Sequence, residues 1–125
     1  MLKNKTQVTM ATIKSYVDLE QSKKLAEILP IESADMYYFI ADSLEKQEIN
    51  YAVRCGTPIV KTDISCWSLS ALLDILPNGT NIVKEEADTE DELYMCTVGT
   101  KSGIISTFGN NPVDACFEMV TKLHK

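Results

Sequence analysis

Few side chains in this chain could carry chemistry. His124 is the sole histidine and is the penultimate residue. A Ser-His-Asp triad or a histidine metal site needs an imidazole held inside a fold. One this near the end of the chain is better suited to favouring the C-terminal end of a helix through the dipole. The four cysteines, Cys55, Cys66, Cys96 and Cys116, never approach the C-x-x-C spacing with which one turn offers two thiolates to a metal. Cys96 and Cys116 lie in the apolar runs ELYMCTV and DACFEMV, where Cys acts as a small core residue. Cys66 differs, because it stands just before a helix whose N-terminal dipole could lower its pKa and make it a nucleophile. Asp35, Asp42 and Asp63 fall at strand or loop ends, where carboxylates work as general acids and bases and where Asp also serves turns. Gly-rich phosphate loops and the zinc-deaminase signature are both missing from the sequence. Together these residues supply no catalytic constellation and call for no metal or cofactor. Enzymatic activity is left open, with the balance against it.

Binding has better material. Tyr37, Tyr38 and Phe39, with Tyr51, Trp67 and Tyr94, form an aromatic set. Whichever of Tyr37 and Phe39 faces away from the main core needs a helix, a partner chain or a ligand over it. Core packing, a self-association or partner surface, and a ligand-stacking pocket are the three readings. Trp67 precedes the N-cap Ser68, so it serves either as a hydrophobic staple or as the wall of a binding cleft. The net charge of -6 comes from 18 acids against 12 bases. Six acids (Glu85, Glu86, Asp88, Glu90, Asp91 and Glu92) crowd one short stretch, and without them acids and bases are equal in number. That stretch reads as a solvated hairpin connection, as a docking patch for a basic surface, or as a calcium loop. The order of acids does not follow an EF-hand, and no Gly stands where that loop must turn. With one Arg in the chain, a basic groove for nucleic acid is not expected.

The elements that must position these residues follow from caps and periodicity. Asp18 and Gln21 form a capping box ahead of Leu25, Ala26, Ile28 and Leu29, and Pro30 ends the run. Met36–Ala41 is an apolar, aromatic strand of the kind covered on both faces. Ile49–Cys55 alternates with period two, and Ile59-Val60 suggests a short edge piece. Ser68 caps a helix with Leu69, Leu72, Leu73 and Leu76 on one side. Strands are expected at Asn81–Lys84, Leu93–Val98 and Ile104–Phe108. A last helix starts with Asn111 as N-cap, Pro112 at the first helical position, and Asp114 facing the dipole. The order α-β-β-α-β-β-β-α predicts an α+β fold, a mostly antiparallel sheet of about five strands packed with three helices.

At 125 residues the chain suits one domain, residues 12–125, behind a flexible leader at 1–11. No apolar run reaches the length of a membrane span, and the first residues lack the apolar middle of a signal peptide. The thiols suit a reducing cytoplasm, and no membrane partner is expected. The blocks DLEQSKKLAEILPIESADMYY, CWSLSALLDILP and NPVDACFEMVTKLHK resemble small uncharacterised proteins from phages and mobile elements of gut Bacteroidales. The last block is also similar to the closing helix of small phage α-β-α sandwich proteins. The resemblance implies a phage or prophage accessory protein in a bacterial cytoplasm and brings no catalytic residues with it. The function expected is a non-enzymatic protein-binding module that engages itself, as a homo-oligomer, or a host or phage protein. The alternative is a small-ligand binder for a nucleotide or metabolite.

Overall fold

A computed structural model describes residues 14–42, 50–85 and 93–124. The expected leader lies outside the described residues, as do Glu86, Asp88, Glu90, Asp91 and Glu92. The chain runs α1 (Leu19–Ala26), β1 (Met36–Asp42), β2 (Asn50–Cys55), β3 (Ile64–Cys66), α2 (Leu69–Ile75), β4 (Asn81–Glu85), β5 (Leu93–Thr100), β6 (Gly103–Gly109) and α3 (Pro112–Leu123), with a 3-10 turn at Ile31–Ser33. The fold is α+β with antiparallel strand pairing and three helices.

Local chemistry sets the helix starts. The Asp18 carboxylate accepts from the Gln21 N–H while the Gln21 side chain accepts from the Asp18 N–H, closing a capping box at the head of α1. Ser68 accepts from the Ala71 N–H at the head of α2, and Asn111 accepts from the Asp114 N–H at the head of α3. Pro112 then occupies the first turn, where no backbone donor is needed.

The strands sort into two sheets of three, ordered β2-β1-β3 and β4-β5-β6. The reason lies between Gly56 and Cys66. Residues 56–63 cross back over the first sheet so that β3 can pair with Met36–Tyr38 on the side of β1 opposite β2. After α2 the chain starts a separate antiparallel meander. Ile59 and Val60 are not an edge strand. Their N–H groups both donate to Asp63 Oδ2, at 2.8 and 3.0 Å, which commits them to the loop and not to a ladder. Cys55 is exposed, as the last residue of the edge strand β2.

One core cluster draws on both sheets and all three helices, with Val17, Leu25, Trp67, Leu72, Cys96, Val98, Val113, Cys116, Met119 and Val120 almost wholly shielded from solvent. Each such aliphatic side chain contributes roughly 1.5–3 kcal/mol of transfer free energy. Helix α3 lies on β5 and β6 with α2 beside it, and α1 packs against β3. The tight return from β6 into α3 depends on Gly109, since a Cβ there would stand 2.5 Å from the Ala115 nitrogen. Thr107, buried at the end of β6, donates its hydroxyl to the Ala115 carbonyl at 2.7 Å.

The segment before α1 is tied in by backbone and side chain alike. Val17 N–H donates to Trp67 O and Leu69 N–H donates to Ser15 O, each at 3.0 Å. Lys14 Nζ reaches Asp114 at 2.8 Å and Gln21 at 2.9 Å, joining this segment to the first turns of α1 and α3.

Candidate functional site

Alternation along β1 divides its aromatic residues between two faces. Tyr38 takes the core side: its ring meets Tyr16 edge-on with centroids 6.3 Å apart, and its hydroxyl donates to Val17 O at 2.7 Å. Burial, reinforced by the neighbouring Cys66 and Tyr16, holds that phenol well above its usual range. Tyr37 and Phe39 share the other face, ring centroids 6.1 Å apart. The three coverings considered for that face reduce in part to a fourth, a loop of the same chain.

Residues 56–63 fold over Tyr37 and leave it 4% exposed. The loop starts at Gly56, whose N–H donates to Asp35 O at 2.9 Å and whose φ of 123° is open to glycine and strained for other residues. Phe39 is only partly covered. The Arg54 guanidinium, carried by β2, lies 4.8 Å from its ring centroid, a cation–π contact. Ile59 and Val60 hang over the far side with 76% and 57% of their surface exposed. Between loop and sheet is a cleft of about 260 Å³, bounded by Tyr37, Phe39, Arg54, Ile59, Val60 and Asp63. Among the described residues no carboxylate forms an ion pair with Arg54, whose guanidinium stands at the opening of the cleft.

The remaining candidates lie elsewhere. Trp67 is wholly buried in the core, where its indole N–H donates to Ser33 Oγ at 2.9 Å, and it does not border the cleft. Glu85 ends β4 on the second sheet, opposite Leu93. Nothing in the sequence marks Arg54, Ile59 and Val60 as site residues. The one available signal is the apolar pair Ile59-Val60 within an otherwise polar loop, which in the sequence suggests an edge strand.

Cys66 does not have the activated thiol that its place before a helix suggests. It is buried, donates to Val17 O at 3.5 Å, and burial pushes its pKa up to about 11. Cys96 and Cys116 meet inside the core. The hydrogen bond with Cys96, together with burial, keeps the Cys116 thiol protonated far above its usual range. Asp35 is committed to the start of α2: Oδ1 accepts from the Ser68 N–H at 2.9 Å and Oδ2 accepts from the Ser68 hydroxyl. His124 Nδ1 lies 2.8 Å from Val120 O, closing the end of α3. Among the described residues no three His, Cys, Asp or Glu side chains gather as metal ligands would. No helix among them is long and apolar enough to cross a membrane.

Compared with known proteins, the chain matches no family model, no curated protein and no solved structure.

Proposed function

We propose that the chain is a non-enzymatic protein-binding module whose cleft on the first sheet receives an apolar side chain flanked by a carboxylate from a partner protein. The observation that carries this reading is the cleft itself. It has an aromatic floor, a guanidinium with no ion-pair partner among the described residues on one side, and two exposed aliphatic side chains on the other. Small-molecule sites usually enclose roughly 300–1,000 Å³, so a space of about 260 Å³ is better matched to one anchoring side chain than to a nucleotide. A buried anchor beside a complementary charge is how protein interfaces concentrate their energy. The resemblance of the sequence blocks to phage and mobile-element proteins supports an accessory role in such an element. The four free thiols suit a reducing cytoplasm.

Selection of peptides from a random library on the immobilised full chain tests the reading. Enriched peptides should carry a large apolar residue next to Asp or Glu. Their affinity should fall about tenfold or more in Arg54→Glu and Phe39→Ala, as loss of a hot spot worth about 1.4 kcal/mol requires. Peptides that bind both variants as tightly as the parent chain defeat the reading. So does a small, discrete mass retained on the chain in native mass spectrometry and lost in Phe39→Ala, which would mark a small-ligand binder.

A further inference from the structure

The four sheet edges are not equally protected. Edge strands expose unpaired N–H and C=O groups, and natural proteins guard them with charge, proline, a bulge or shortness. On the first sheet, β2 carries Arg54 and β3 has only three residues. On the second, β4 carries Lys84 and Glu85. The fourth edge, β6, reads Gly-Ile-Ile-Ser-Thr-Phe-Gly, with no charge and no proline, and its register against β5 is unbroken from Gly103 to Gly109. Among the described residues no strand pairs with its other side. Two of its side chains on the face away from α3, Ile104 and Phe108, are 76% and 51% exposed.

We propose that a second copy of this chain pairs with β6, antiparallel, across a two-fold axis at Ser106, joining the two second sheets into one of six strands. The sequence of β6 is self-complementary in this register. Ile104 stands opposite Phe108 of the second copy and Phe108 opposite its Ile104, which makes two aliphatic–aromatic cross-strand pairs on the open face. Ser106 meets its own copy at the centre.

Beside the edge, a hollow of about 540 Å³ runs between β6 and α3, bordered by Thr107, Phe108, Glu118, Thr121 and Lys122. Glu85, at the end of β4, lies on the opposite edge of the sheet, away from the second copy. This inference rests on the second sheet and is independent of the cleft on the first.

Sedimentation equilibrium of the full chain should give twice the 13.9 kDa chain mass. Ile104→Lys, at a position exposed enough to leave the fold intact by circular dichroism, should sediment as a monomer. In a Cys55→Ser background, Ser106→Cys should crosslink into a reducible dimer on mild oxidation. A monomeric parent chain overturns the proposal, as does a dimer indifferent to Ile104→Lys or one in which the Ser106→Cys variant does not crosslink.

Discussion

Asp114 shows how much one side chain can join. Its carboxylate accepts from Lys14 at 2.8 Å, from Gln21 at 3.0 Å and from Asn111 at 3.0 Å, while its N–H is held by the Asn111 cap. Burial pushes its pKa up, but the hydrogen bonds from Lys14, Gln21 and Asn111 and the nearby ammonium outweigh that and hold it below its ordinary 3.8. A carboxylate depressed on folding adds stability that is complete above the unfolded value and is lost as pH falls through the folded one. Asp114→Asn should therefore lower stability at neutral pH by about 1–3 kcal/mol, the cost of leaving partners unsatisfied. Urea midpoints at neutral and acid pH will show the variant losing less on acidification than the parent chain; an equal loss would take Asp114 out of the acid response. The thiols give a second residue-scale test. Cys55 is exposed and Cys66, Cys96 and Cys116 are buried, so an alkylating reagent at mildly alkaline pH should label Cys55 alone until the chain unfolds. Mass mapping of the labelled peptides decides it, and rapid labelling of folded Cys66 would contradict both its burial and its raised pKa.

At the scale of elements, helix starts were legible because their chemistry is local. Asp18 with Gln21, Ser68 with Ala71 and Asn111 with Asp114 each close a hydrogen bond within one turn, and the residue types announce it. What Asp35 does for α2 was not legible, because it acts from 33 positions away. A seven-residue helix is too short to persist alone, so α2 relies on its core leucines and on this doubly held Ser68. Asp35→Ala and Ser68→Ala should each cost about 1–2 kcal/mol, and the double variant clearly less than their sum, since both remove the same contact. A denaturant double-mutant cycle measures this; simple additivity would mean the pair acts independently. The strand β3 escaped the sequence for the opposite reason. Three residues show no period, and only the free side of β1 makes them a strand.

For the molecule as a whole, the α+β class and the antiparallel pairing were legible from hairpin order, whereas the division into two sheets was not. It depends on residues 56–63 turning back over Tyr37, a tertiary event that the polar loop sequence does not signal. The same loop makes the cleft. Tyr37 and Phe39 could thus be named in advance as needing cover, while Arg54, Ile59 and Val60 could be recognised only once the loop was in place. Trp67 and Glu85 had plausible residue types for a site, but the fold places one in the core and the other on the second sheet. The bond from Lys14 to Asp114 spans 100 positions, and α3 is the element that covers β5 and β6. During translation Asp114 is therefore made 100 residues after the Lys14 that it holds. Until α3 has emerged, the faces of β5 and β6 that it covers are open to other chains, and that is the interval in which the nascent chain is most exposed to aggregation.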